Sequence, residues 1–435
     1  MKALIDLIQQ HKQGHASGIY AVCSAHPLVL EAALTQAKND DQLVLIEATS
    51  NQVNQDGGYT GMQPQAFVDF VYDLADSMAF DRNKILLGGD HLGPNCWQAL
   101  SAEQAMAKSD ILIRDYVLAG FRKIHLDCSM PCAGDPTPLT DEIIAQRAAR
   151  LCDIAEHAWQ QAGGEAPVYV IGTEVPVPGG AQHDMEDTLA VTTPTAAKDT
   201  IDAHYQAFQS FGLTQVWSRV IGLVVQPGVE FDHHNVAHYQ PNKALKLSGF
   251  IESQPHMVFE AHSTDYQCDS AYQHLVRDHF AILKVGPALT FALREALFAL
   301  DRIEQEWLGS HQASHLRATL EQVMREQPNY WQSYYQASGH QQYLDCAYSL
   351  SDRIRYYWPH PQVQQALSLM MDNLTNNPAP ITLLSQYMAN QAKAVIAEHI
   401  INDPKQLIIH KVMEVTQVYA QACYFNALAP KETVL

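Results

Sequence analysis

Over the first two-thirds of the chain, short apolar runs alternate with longer stretches of helical periodicity. The runs lie at 18–23, 42–47, 84–88, 123–127, 168–172, 220–225, 256–260 and 281–285, each rich in β-branched side chains and bounded by turn formers. Unbroken apolar runs of this length fit parallel strands buried on both faces. The intervening stretches have legible helix ends. Ser101 followed by Gln104 forms a capping box, and Pro194 after Thr193 places proline at a first helical position. The stretch 141–161 sets Ile144, Ala148, Leu151, Ala155 and Ala158 on one stripe and stops at Gly163-Gly164. Eight strands, each followed by a helix-sized connection, is the count that closes a (β/α)₈ barrel. Periodicity does not show closure, so an open doubly wound sheet stays as the alternative.

Beyond Gly286-Pro287 only helical periodicity remains, at 291–308, 363–374, 380–400 and 405–425, punctuated by Asn-Asn-Pro and Asn-Asp-Pro stops. The expected organisation is a barrel over 1–310 and a helical extension over 311–435 packed on it, with a separate helical domain as the other reading.

Composition narrows the field. The chain is 47% hydrophobic, enough for a large core, and 17% charged, too little for long disordered segments. Its 27 basic and 47 acidic residues give a net charge of -20. Such a surface repels nucleic acid and anionic membranes, and any phosphate site must be built locally. The first residues, MKALIDLIQQHKQGHASG, are amphipathic and lack the apolar core of a signal peptide; with no run of 18 apolar residues, a cytoplasmic protein is expected. The eight cysteines are scattered, and Cys128 and Cys132 lack the spacing of a zinc ribbon. They are expected to be reduced, buried thiols.

In a barrel of this type the strand ends share one rim. Those ends supply Glu47, Asp90-His91, His125 with Asp127, Glu174, Gln226-Pro227-Gly228, Glu260 with His262, and Lys284. Imidazoles and carboxylates converging on one mouth suit zinc or another divalent cation, which polarises a carbonyl when one position is open. The candidate ligands are His91, Glu174 and His262, with His125 or one of the pair His233-His234 completing the set, and Asp90 is the candidate proton-transfer group. A hydrogen-bonded polar plug is the alternative. Lys284 is either a Schiff-base lysine or, more simply, an ion-pair partner of Glu260. Glu47, Asp127, Lys284, Arg353 and Arg355 are the candidates for holding a sugar phosphate. The glycine-rich stretch 54–61 offers backbone amides to an oxyanion or is merely a turn; with no G-K-[ST] after its glycines it is not a nucleotide phosphate loop. The stretch SDRIRYYWP sets two arginines among aromatics, which suits phosphate capture, a protein interface or a capped helix end.

The phrases CSAHPLV, LIEATSNQVNQDGGYTGM, GGDHLGPNCWQ, KIHLDCS, IGTEVPVPGG, VVQPGVEFDH, FEAHSTDYQ, ILKVGPALTFALREA and SLSDRIRYYWP run in order through about three-quarters of the chain. They resemble the Z-type, non-catalytic subunits of D-tagatose-1,6-bisphosphate aldolase from galactitol and N-acetylgalactosamine catabolism. The resemblance implies a (β/α)₈ barrel and a partner, the catalytic zinc-dependent class II aldolase subunit, which members of the family stabilise and bring to full activity. That partner cleaves tagatose 1,6-bisphosphate to glycerone phosphate and glyceraldehyde 3-phosphate. Older labels for such chains as tagatose-6-phosphate kinases find no support in the missing phosphate loop. Catalytic class II aldolases carry an Asp-His pair after one strand, matched here by Asp90-His91, and later zinc-binding histidines, one of which is similar to His262. After the sixth strand this chain has no histidine until His233, and STDYQ and VGPALTF stand where glycine-rich phosphate loops are expected. The leading expectation is therefore an accessory subunit, with a sugar-phosphate ligand and self-association as further partners. The alternative is a metal-dependent aldolase or epimerase acting on a ketohexose phosphate in its own right.

Overall fold

The structure, a computed structural model, describes residues 1–175 and 189–424. Part of the phrase IGTEVPVPGG, from Pro176 onward, and the end of the predicted helix at Phe425 lie outside those residues.

The eight apolar runs become β1 (Ile19–Val22), β2 (Val44–Thr49), β3 (Ile85–Leu92), β4 (Lys123–Leu126), β5 (Val168–Ile171), β6 (Val220–Val225), β9 (Val258–Ala261) and β10 (Ile282–Val285). Each pairs in parallel with its neighbour, and β10 pairs with β1, so the ring is closed and the open-sheet alternative is excluded. A two-residue hairpin not foreseen from the sequence, β7 (Glu230–Phe231) with β8 (Val236–Ala237), interrupts the connection after β6. The helix starts are built as the sequence implies. Thr193 Oγ1 accepts from the Ala196 amide at 3.1 Å, and Thr140 opens the long helix Asp141–Ala162, which stops at Gly163 with φ +73°. The Ser101 box is half formed: its hydroxyl accepts from the Gln104 amide at 3.4 Å, but the Gln104 side chain turns to that hydroxyl instead of the Ser101 amide.

The strand starts form an apolar floor. Ile19, Leu45, Leu86, Val168, Ile221, Val258 and Ile282 meet there, and the first helix, Lys2–Lys12, stoppers the ring from below with Met1, Leu4 and Ile8. Burying each such aliphatic side chain contributes about 1.5–3 kcal/mol.

The helices after β10 are Pro287–Leu308, Leu316–Glu326, Gly339–Tyr348, Pro361–Asn376, Ile381–Tyr387, Ala389–Ile396 and Pro404–Cys423. Their apolar faces join the same core as the barrel's outer helices. The last of them packs on Pro27–Asp40, Asp269–Arg277, Pro287–Leu308 and β1, and the Cys423 carbonyl accepts from the Gly18 amide at 2.9 Å. The segment 349–358 crosses to the barrel mouth, where the Leu350 amide donates to His233 O and Tyr266 donates to Leu350 O. In consequence Tyr357 and Trp358, within the stretch for which a protein interface is one reading, are only 2% and 1% exposed, because they fill the seam between extension and barrel, while Tyr356 is partly exposed. All eight cysteines are free thiols, and among the described residues no helix is long and apolar enough to cross a membrane.

Candidate functional site

The mouth is laid over a buried lattice of alternating charge. Lys123, the first residue of β4 and wholly buried, bridges Glu47 Oε1 and Glu260 Oε2, each at 2.6 Å. Lys284 on β10 contacts Glu47 most closely, then Asp90 Oδ1 at 3.0 Å, with Glu260 at 3.9 Å. The expected Lys284–Glu260 pair is thus displaced, since Lys123 engages Glu260 and β1 and β2 bring Glu47 next to Lys284. Gly88, in register with Glu47, has no room for a side chain: a β-carbon there would stand 2.7 Å from Glu47 Oε1.

Above the lattice stand three imidazoles, His91, His125 and His262, with ring centroids 4.8 to 5.3 Å apart. A bulge makes this possible. The β3–β4 register shifts between Gly89 and Leu92, and His91 takes a left-handed conformation, φ +47°. Such a conformation is costly for a residue with a side chain and tends to be kept where function needs it. It swings the ring so that Nδ1 meets Asp127 Oδ2 at 2.7 Å, and Asp127 is itself held by the Ser129 hydroxyl and amide. His125 Nδ1 lies 3.0 Å from Asp90 Oδ1, and His262 Nε2 lies 2.9 Å from Glu260 Oε1.

These contacts set the protonation states. Burial pushes the Asp90 carboxyl up, but His91, His125 and His262 outweigh it and hold it well below the carboxylate range. Burial opposes charge on His91 too, yet Asp90 and Asp127 raise it to about 9. Burial brings Lys284 down to about 8 and pushes the neighbouring Cys23 thiol up to about 12. The site therefore presents an ionised carboxylate beside an ammonium that exchanges its proton near neutrality.

Asp90, His125, Glu260 and His262 each place one donor atom within 4.8 Å of the others. His125 Nε2 is buried without a hydrogen-bond partner. Two imidazoles and two carboxylates fit a zinc-type ion. Two expected ligands are not in this set. His91 is committed to Asp127. Glu174, three residues past the end of β5, is exposed and accepts from the Thr192 hydroxyl, and Glu260 stands in the cluster instead. His233 does not reach it either: the β7–β8 hairpin carries it toward the extension, where it contacts Tyr334 O and the hydroxyls of Ser349 and Ser351. His234 pairs with Asp345.

The pocket is lined by Tyr59, Asp265, Thr290, Arg355 and Tyr356 together with Cys23, Asp90, His91, His262 and Lys284. Arg355 is fixed along one edge by donating to the carbonyls of Ser351 and Asp352. Its neighbour Arg353 does not line the pocket; it donates to Tyr330 O and stacks 3.4 Å over Tyr334. The amides of the glycine-rich loop are partly spent within the turn, since Asn54 Oδ1 accepts from Asp56 and Gly58. What that loop gives the mouth is Tyr59, edge-on to Tyr356 at 4.6 Å. Lys123, Cys23 and Tyr59 were not picked out from the sequence. For Lys123 the signal was present, a lysine inside a run otherwise too apolar to face water.

The model of the D-tagatose-1,6-bisphosphate aldolase subunit GatZ/KbaZ-like family matches residues 4–424. A crystal structure described as a probable tagatose 6 phosphate kinase from Sinorhizobium meliloti 1021 is 49% identical and superposes with a TM-score of 0.86, covering 93% of this chain and 100% of that one. The YdjI aldolase of Escherichia coli K12 is 11% identical with a TM-score of 0.42, covering 84% of this chain and 96% of its own. The fructuronate-tagaturonate epimerase UxaE of Cohnella laeviribosi is 13% identical with a TM-score of 0.48, covering 94% and 82%.

Proposed function

The chain belongs to the D-tagatose-1,6-bisphosphate aldolase subunit GatZ/KbaZ-like family, and from that premise we propose that its barrel mouth binds a ketohexose phosphate and performs metal-assisted aldol cleavage or epimerisation there. One observation carries this reading: the buried four-donor group of Asp90, His125, Glu260 and His262, with His125 Nε2 left unpaired. Two imidazoles and two carboxylates whose donor atoms converge within 4.8 Å suit a cation better than a plug of paired hydrogen bonds. His125, His262 and Glu260 would hold the ion, which when bound supplies polarisation of the ketose carbonyl. Asp90, ionised and facing the pocket, accepts the substrate hydroxyl proton; Lys284 at 3.0 Å stabilises the carboxylate and returns a proton. Asp90 and Asp127 together favour the charged form of His91. Arg355 and Tyr59 meet the phosphate at the rim. Cleavage and epimerisation share the first step, deprotonation of the hydroxyl beside the breaking carbon–carbon bond, and differ in whether the aldehyde leaves or re-adds. The purified chain should contain a divalent metal and turn over a tagatose or fructose phosphate, and Asp90→Ala should cut the rate by about 10²–10⁴-fold. Neither metal nor turnover would dismiss the proposal.

The accessory role, in which the chain supports a catalytic class II aldolase subunit in the cytoplasm during galactitol or N-acetylgalactosamine catabolism, is the second reading and rests on the family's description as a subunit. Because Tyr357 and Trp358 are buried, such a contact would use other apolar groups, among which Ile396 and Ile401 are 69% and 64% exposed. Co-expression tests it: the catalytic subunit should gain stability and turnover with this chain, and an unchanged subunit would refute the role.

A further inference from the structure

We propose that the seam between the barrel's last helix and the helical extension carries a second anion site, for a phosphorylated small molecule, linked to the barrel mouth through Arg294 and Asp352. A groove of about 500 Å³ runs between the helix Pro287–Leu308, the junction of Ile381–Tyr387 with Ala389–Ile396, and the helix Pro404–Cys423. Four cations face it, Arg294, Arg302, Arg317 and Lys411, with the rings of Tyr348 and Tyr387. That is an unusual gathering on a chain of net charge -20.

Arg294 is the informative member. It is 2% exposed, and its Nε and Nη2 find no hydrogen-bond acceptor among the described residues. Its guanidinium lies 4.0 Å over Phe291, and Asp352 Oδ1 stands 3.3 Å from Nε without a directed hydrogen bond. Burying donors unspent is costly, so a partner that satisfies them is favoured. A phosphate matches the guanidinium fork, and the tyrosine faces suit a ring attached to it. The acidic groups around the groove do not fill this role. Glu306 and Glu321 pair with Arg302 and Arg317 one turn along their own helices, and Glu295 and Glu414 pair with Lys411, so Arg294 has only Asp352 beside its Nε and no acceptor at its Nη2. Exposed pairs of this kind hold weakly and yield to a stronger anion.

The link to the mouth is short. Asp352 is buried in a left-handed conformation, φ +44°, with Arg294 Nε 3.3 Å from its Oδ1. The carbonyls of Ser351 and Asp352 are what fix Arg355 at the rim. A ligand that draws on Arg294 changes its hold on Asp352, and with it the aim of Arg355.

Titration calorimetry of the full chain with pyrophosphate tests the site. Saturable binding is expected, weakened about tenfold or more by the double variant Arg302→Gln/Arg317→Gln and by less than about twofold by Arg355→Gln. Both groove arginines are partly exposed, so the double variant should fold. No saturable binding, or binding that survives the double change but is lost with Arg355→Gln, overturns the proposal. For the link, amide exchange across 349–358 should change on adding pyrophosphate to the native chain and not to Asp352→Asn. Unaltered exchange in the native chain overturns the coupling.

Discussion

The two ends of the barrel are built from the same eight strands and have opposite chemistry. At the strand starts the ring is packed with aliphatic side chains and stoppered by Met1, Leu4 and Ile8. In its upper half it holds Glu47, Asp90, Lys123, His125, Glu260 and Lys284, all nearly or wholly buried and linked by ion pairs, Lys123 entering at the start of β4 in register with Gly88. Because every strand points the same way, position along a strand becomes height in the barrel. The lower end secures the fold at little cost in specificity; the upper end spends stability on groups that an aliphatic core would do without.

The sharpest way to break that contrast is Lys123→Met. Removing the ammonium leaves Glu47 and Glu260 facing each other in a dry interior, and unfolding in urea should show a loss of about 3–5 kcal/mol. A loss under about 1 kcal/mol would mean the lattice behaves like a surface pair. Next in size, Leu4→Ala at the floor should cost about 2–4 kcal/mol by leaving a cavity. Metal content and ligand affinity at the mouth should be untouched, and a parallel fall in affinity would show that the ends are not independent.

The smallest effect, of roughly 1–3 kcal/mol per group, separates the ends by pH. Burial lowers His11, at the floor, to about 4. Its unfolded form takes up a proton near pH 6.5 while the folded form resists, so stability drops as pH falls from 6.5 toward 4. His91, at the mouth, is raised to about 9. Its contribution is complete below about pH 6.5 and fades as pH rises through 9. Thermal unfolding should therefore weaken at both extremes; His11→Gln should ease the acid limb only in part, since burial also lowers His26 and His204 to about 4, and should leave the alkaline limb unchanged, and relief of the alkaline limb would contradict the assignment.

The strands and their order were legible because buried parallel strands are short and apolar, and the strand-end rule then placed Asp90, His91, His125 and His262 at one mouth. What the sequence could not tell was which carboxylate completes the cluster. Glu174 and Glu260 look alike as letters, yet β5 stops early enough to leave Glu174 in solvent, whereas Glu260 lies within β9. The bulge that turns His91 toward Asp127 is likewise silent, since it arises from a register shift between two strands rather than from any local motif. Arg353 and Arg355 are two residues apart and were read alike; only the path of 349–358 sends one to the pocket and the other under Tyr334.

The helix Pro404–Cys423 lies against β1 and the helix Pro27–Asp40, and Cys423 receives the amide hydrogen of Gly18. The earliest strand to be synthesised thus waits for nearly the last described residues before its surroundings are finished. During translation the nascent barrel must pass minutes or seconds with that flank bare, a window in which chaperones and aggregation compete for it. A stop codon placed before Pro404 would then be expected to yield inclusion bodies rather than a shortened, working barrel.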